Sequence, residues 1–203
     1  MTLLSRDDLP DEIVTARTLV RKAVSEDLSK ISRWPGYEWP CECFDVVGPP
    51  RARNGQAPWW ERIDDPDRCH YSVILPATGE VIGIHAFVQI GWSARTVANM
   101  GVRIVAPLCS QGYGTESLKP LLADILRCGI SRIRLDVAAS NARAVRCYKT
   151  CGMRIVEALW REHRGASPEP DTPKWAFAMP HLRFEDGHWL TRFYWMEILA
   201  AGS

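Results

Sequence analysis

Two rhythms of apolar residues divide the chain. A period of two, the mark of a strand with one buried face, holds at 130–138 (ISRIRLDVA). Residues 69–75 (CHYSVIL), 80–90 (EVIGIHAFVQI) and 96–105 (TVANMGVRIV) are apolar strand candidates, and 153–162 (MRIVEALWRE) and 188–199 (HWLTRFYWMEIL) read as further strands. Residues 16–24 (ARTLVRKAV) alternate in part and read as a first strand. PATGE at 76–80 supplies turn residues between two of these runs and predicts a hairpin. The helical period appears where Leu118, Leu121, Leu122, Ile125 and Leu126 recur at i, i+3, i+4, i+7 and i+8. Gly129 is placed to end that helix. Pro120 suits it only in the first turn, because deeper in it removes a backbone donor. A second helix, 142–151 (ARAVRCYKTC), takes Asn141 as its cap and stops at Gly152. Ser25, with Glu26 and Asp27 behind it, caps a shorter helix over 25–34.

The order is β-α-irregular-β-β-β-α-β-α-β-β. Antiparallel strands feed β-α-β units, which predicts a mixed α/β fold (an α+β mixed sheet) rather than a doubly wound one. The 203 residues read as one domain, 1–203, with a core over about 16–200. Residues 163–174 (HRGASPEPDTPK) form a Pro-rich loop, and 164–174 is the best candidate for flexibility. From Trp34 to Asp67 no period holds, and the stretch is rich in Pro and Trp. So long an ordered connector often carries function. The alternative is that Trp34, Trp39, Trp59 and Trp60 cover the core.

Composition narrows the partners. The chain is 46% apolar and 24% charged, with a formal net charge of +1. That balance argues against a broad nucleic-acid surface. No apolar run reaches the length of a membrane span, and MTLLSRDDLPDEIV does not read as a secretory signal. Seven scattered cysteines without a signal sequence point to reduced thiols and a cytoplasmic location. Cys41 and Cys43 form the one close pair, but their spacing is not that of a zinc ligand pair, so no metal is expected.

Two stretches carry chemistry. CSQGYGTESL at 109–118 follows a strand and opens a helix. Free N–H groups and the dipole of a helix N-terminus favour an anion there, and Gly112 and Gly114 let the backbone approach it without a Cβ. A P-loop would require Gly-Lys-Ser/Thr, but Gly114-Thr115-Glu116 has no lysine; a dinucleotide fold would want glycine where Ser117 stands. A plain packing turn is the remaining alternative. SNARAVRCYKTCGM at 140–153 runs from a cap to a glycine, with Ala144, Cys147, Tyr148 and Cys151 on one face. Tyr148 is either a core residue with a satisfied hydroxyl or a group that acts.

In this order and at this distance, the two stretches resemble the GNAT superfamily of N-acetyltransferases. The family's Arg/Gln-x-x-Gly-x-Gly/Ala motif matches Cys109-Ser110-Gln111-Gly112-Tyr113-Gly114, and its Asn-x-x-Ala and Tyr pattern matches Asn141, Ala144, Tyr148 and Gly152-Met153. From 96 to 156 the chain also resembles the ribosomal-protein alanine acetyltransferase branch. The resemblance implies a mostly antiparallel central sheet, splayed between its fourth and fifth strands, with helices on both faces. It implies acetyl-CoA as cosubstrate and an amine acceptor, of a small molecule or a protein N-terminus, that attacks the thioester directly. Amides of Ser110, Gln111, Gly112, Tyr113, Gly114 and Thr115 would hold the pyrophosphate. The backbone of Ile104 and Val105 would pair with the pantetheine arm, and an N–H near Val105 would stabilise the oxyanion. Tyr148 would protonate the departing thiolate, and Asn141 and Ala144 would shape the cofactor site. The 34–67 segment and the final strands would frame the acceptor pocket, Trp59 and Trp60 included. A homodimer is compatible with the resemblance.

Cys109 departs from the family's Arg or Gln, and Pro107 sits one residue closer to the motif than usual. Gln111 is a candidate to replace the lost polar contact. A thiol near an anion site can have a lowered pKa. No general base stands out: Asn99 occupies the place of a frequent carboxylate, His85 on an apolar strand reads as a satisfied structural residue, and Asp136 reads as pairing with Arg134 or Arg132. The alternatives are a non-catalytic acyl-CoA-binding sensor module and a nucleotide-binding protein of another kind.

Overall fold

The computed structural model describes residues 4–44, 63–164 and 166–201. Nine strands form one sheet and three α-helices pack on it. In chain order these are β1 (Glu12–Val14), β2 (Leu19–Lys22), α1 (Ser25–Ile31), β3 (Arg68–Leu75), β4 (Glu80–Gly91), β5 (Thr96–Ile104), α2 (Tyr113–Arg127), β6 (Arg132–Ala138), α3 (Ala142–Thr150), β7 (Arg154–Glu162), β8 (Leu182–Glu185) and β9 (His188–Leu199). The sheet order is β1-β2-β3-β4-β5-β6-β9-β7, with β8 on β9. β5 and β6 are parallel, and every other neighbouring pair is antiparallel. The mixed α/β class therefore holds.

Alternation sets the faces. On β5, Val102 and Ile104 lie near Gly114 of α2, while Arg103 between them stacks under Trp34 and Tyr37, just past α1. The helices thus cover both faces. The core joins Ile82, Ile84 and Phe87 of β4, Ile133 and Leu135 of β6, and Leu118, Leu121, Leu122 and Ile125 of α2, all fully buried. Gly83 is required by this packing: a Cβ there would sit 2.5 Å from Ile104 Cδ1 and 3.1 Å from Val73.

Four local expectations are corrected. The strand expected at 16–24 is shorter and is preceded by β1, because Thr15 and Thr18 bond each other and turn the chain between them. Ser25 is the first helical residue of α1 rather than its cap; Val24 precedes it, and Asp27 Oδ2 accepts the Val24 N–H at 3.1 Å. Pro120 lies well beyond the first turn of α2, which starts at Tyr113, so the Glu116 carbonyl loses its usual helical donor. β8 adds a strand before the last one, joined to it through Asp186 and Gly187, both with positive φ (49° and 81°). Trp59 and Trp60 lie outside the described residues.

Candidate active site

The end of β5 and the start of α2 build the first half of the site. Ala106–Leu108 form a single 3-10 turn after Val105. The backbone then passes through two left-handed residues, Ser110 (φ 63°) and Gly112 (φ 88°). The first is sterically costly for a side chain and the second is natural for glycine. Gly112 is the residue before α2 and offers no side-chain cap. The first helical bond across it is Glu116 N–H to Gly112 O, at 2.9 Å. None of the amides from Ser110 to Thr115 donates to an acceptor among the described residues. They form a run of free donors at the positive end of a fifteen-residue helix.

The loop is held from outside. Arg17, in the β1–β2 turn, donates to Gln111 O at 3.2 Å and lies 4.2 Å from the centre of the Tyr113 ring. Its Nε and N–H bond Glu116 at 2.6 and 2.7 Å, and Thr15 Oγ1 bonds the same carboxylate at 2.8 Å. Burial alone would raise the Glu116 pKa, but the bonds from Thr15 and Arg17 outweigh it and hold the carboxyl below its usual range. Gln111 Nε2 is spent on Pro107 O at 2.9 Å. That bond stiffens the turn.

β5 and β6 pair only at Thr96↔Arg132 and Val97↔Ile133. The Val105 N–H donates to Ile82 O at 2.8 Å, which corrects the expected oxyanion role: that donor is already used within the sheet. By strand alternation, Val102 and Ile104 turn their peptide groups away from β4, toward β6. At Ile104 the outward carbonyl is capped by Tyr37 Oη at 2.5 Å and by the Cys109 thiol at 3.3 Å. Burial raises the Cys109 pKa. The sequence expectation of a lowered one is thus overturned, because loss of water outweighs the nearby cations. Burial, and next Cys109, also raise that of Tyr37.

α3 supplies the second half. Asn141 Oδ1 accepts the Ala144 N–H at 3.1 Å and so caps the helix, as its position in the sequence suggests. Ala144 is half-buried on the inner side. Cys147 Sγ lies 3.7 Å from where a Cβ on Gly114 would be and accepts from Thr115 Oγ1 at 3.4 Å, tying the start of α2 to the second half of α3. The Cys151 thiol lowers the Cys147 pKa and rises in turn. Tyr148 is 6% exposed, and its hydroxyl makes no hydrogen bond among the described residues. Burial raises its pKa, reinforced by the charges at Cys147, Cys151 and Asp136. The phenol therefore stays protonated throughout the neutral range.

The other titratable candidates are turned elsewhere. His85 is fully buried, with Nε2 2.8 Å from Ser117 Oγ. Since that hydroxyl donates to Tyr113 O at 2.7 Å, Nε2 carries the proton. Burial pushes the His85 pKa down to about 3, and Nδ1 has no hydrogen-bond partner among the described residues. It is a structural residue, but a half-satisfied one. Asp136 pairs with Arg161, not with Arg132 or Arg134, because the β7 side chain reaches it across β9; Arg134 instead bonds Glu197 at 3.1 Å. Among the described residues no group of His, Cys, Asp or Glu is arranged to hold a metal ion, and no helix is long and apolar enough to cross a membrane. Sequence reasoning missed Arg17, Glu116, Tyr37 and Arg143, whose contacts link distant segments.

Comparison with known proteins agrees with this fold. The model of the acetyltransferase (GNAT) family matches residues 33–153. The chain is 31% identical over 105 residues to thialysine N-epsilon-acetyltransferase of Sus scrofa, covering 47% of this chain and 62% of that one. The Mus musculus protein of the same name gives 31% over 91 residues, 41% and 54%. The match thus spans less than two thirds of either relative. Among solved structures, spermidine N-acetyltransferase of Vibrio cholerae in complex with CoA and spermine superposes with a TM-score of 0.61 at 17% identity, over 92% of this chain and 97% of that one.

Proposed function

The chain belongs to the GNAT acetyltransferase family, and from that premise we propose that it transfers an acetyl group from acetyl-CoA to a primary amine of a small molecule or a protein N-terminus. The run of free amides from Ser110 to Thr115, at the start of α2, carries the reading. These donors suit a pyrophosphate. The outward peptide edge of β5 at Val102 and Ile104 suits an extended pantetheine arm, which would add to the sheet where β6 does not pair. In this reading Tyr37 and Cys109 yield the Ile104 carbonyl as the arm enters. The splay between β5 and β6 belongs to the same reading.

Acetyl-CoA supplies an activated thioester. The acceptor nitrogen forms the new C–N bond, the C–S bond breaks, and the amine proton leaves to solvent. Tyr148 gives its phenolic proton to the departing sulfur and regains one from solvent. An unpartnered, protonated hydroxyl suits this role. His85 is sealed behind α2 and Asp136 is neutralised by Arg161, so neither is assigned as base. The amine reacts in its neutral form, and kcat/KM should rise with pH until the acceptor's own pKa is passed. A cytoplasmic site of action and a homodimer belong to the same proposal.

The test is release of CoA thiol from acetyl-CoA by the purified chain over a panel of primary amines, with acetylated product identified by mass. Amine-dependent release supports the reading. Acetyl-CoA binding without release by any amine would favour the sensor module instead.

A further inference from the structure

Arg143 stands in the first turn of α3, at the positive end of a helix with no acid in that turn. A cation there opposes the helix dipole, so local stability does not account for it. Its guanidinium stacks over the Tyr37 ring, 5.4 Å from the ring centre, and is half-buried. It makes no ion pair and no hydrogen bond among the described residues. Its charge is felt at Tyr37, Cys109, Cys147 and Tyr148. A second guanidinium, the buried Arg103, lies 5.5 Å from the centre of the same ring. The Arg143 guanidinium, unpaired among the described residues, repels a polycationic acceptor and attracts an anionic one.

We propose that Arg143, seated on Tyr37, reads a carboxylate on the acceptor, so that the substrate is an amino carboxylate whose free amine is acetylated, and not a polyamine. This rests on the acetyltransferase reading above. A planar guanidinium with its donors uncommitted matches a carboxylate in two parallel hydrogen bonds, which also fixes how the amine is aimed. Its contact with the Tyr37 ring limits the rotamers lost on binding.

The experiment compares lysine with cadaverine, which differs by the carboxylate alone, and with spermidine, each against wild type, Arg143→Gln and Arg143→Lys. Wild type should favour lysine over cadaverine in kcat/KM by about 10- to 100-fold, the worth of a charge-assisted hydrogen bond. In Arg143→Gln that ratio should collapse through KM for lysine, and Arg143→Lys should restore part of it. Melting temperature and acetyl-CoA affinity are measured on the same samples. A preference for cadaverine or spermidine in wild type overturns the subsite while leaving the acetyltransferase reading intact. A matching loss of acetyl-CoA affinity in Arg143→Gln assigns the arginine to the cofactor and also overturns it. No transfer to any of the three amines, nor to any in the wider panel, removes the acetyltransferase reading and this one with it.

Discussion

Removing the Tyr148 hydroxyl should separate stability from turnover in opposite directions. In Tyr148→Phe the ring stays in the core beside Cys147 and Cys151, so packing is kept. A typical protein hydrogen bond contributes about 1 kcal/mol net, but this hydroxyl makes none among the described residues. The free-energy change on deletion should lie between about zero and 1 kcal/mol in favour of the fold. For a chain of this length 1 kcal/mol moves Tm by about 2–4 °C, so Tm should stay level or rise slightly. Turnover should fall. General acids contribute about 10²- to 10⁴-fold, and a thiol ionises near an ordinary pKa of about 8.5, so a thiolate can leave unaided. The loss should therefore sit near the lower end, about 10² in kcat. The assays are steady-state CoA release from pH 6 to 9, calorimetric acetyl-CoA affinity, which should hold, and thermal unfolding. A kcat within threefold of wild type at every pH would mean that the proton comes from elsewhere. A Tm lowered by several degrees would mean that the hydroxyl is a bonded structural group.

Other perturbations read the framework. Gly83→Val should unfold easily, because the new Cβ would lie 2.5 Å from Ile104 Cδ1; overpacking of this kind costs about 1–3 kcal/mol, and an unchanged Tm would refute the packing argument. Glu116 has a depressed folded-state pKa, so its contribution is present above the unfolded value of about 4.3 and is lost as pH falls through the folded one. The Tm difference between wild type and Glu116→Gln should accordingly shrink between pH 7 and pH 3, and a constant difference would contradict the clamp. Arg17→Ala removes the stacking on Tyr113 and the bond to Gln111 O. It should weaken acetyl-CoA binding about two- to fivefold, the worth of one exposed cation–π contact, and unaltered affinity in calorimetry would show that the loop holds its shape alone.

How far the sequence reaches follows from the range of each interaction. β6 was legible because one face is buried and alternation writes that burial into adjacent residues, and β3 and β4 because both of their faces are buried, which leaves a short apolar run. β1 has three residues with an exposed-intermediate-exposed pattern, so it leaves no apolar mark. β8 has no buried residue either, although Asp186-Gly187 is a hairpin signal that periodicity passes over. Asn141 could be read as a cap because its bond is three residues long. Arg17 and Glu116 could not be paired, being 99 residues apart. Cys109 shows a different limit. Its neighbours in sequence suggested an activated thiol, but Tyr37 and the Ile104 carbonyl bury it, and burial decides the sign of its shift.

The central claim is that the amides from Ser110 to Thr115 hold the pyrophosphate of acetyl-CoA. The most direct measurement is thermal unfolding with acetyl-CoA, ATP or NAD at saturating concentration, for wild type and for Gly112→Val. A ligand that binds only the folded state raises Tm by mass action. Acetyl-CoA should raise the wild-type Tm by several degrees, ATP and NAD should not, and Gly112→Val should lose the shift because valine strains the φ of 88° that shapes the loop. No shift in wild type, or an equal shift in the variant, would make the glycine pair a packing turn and contradict the claim.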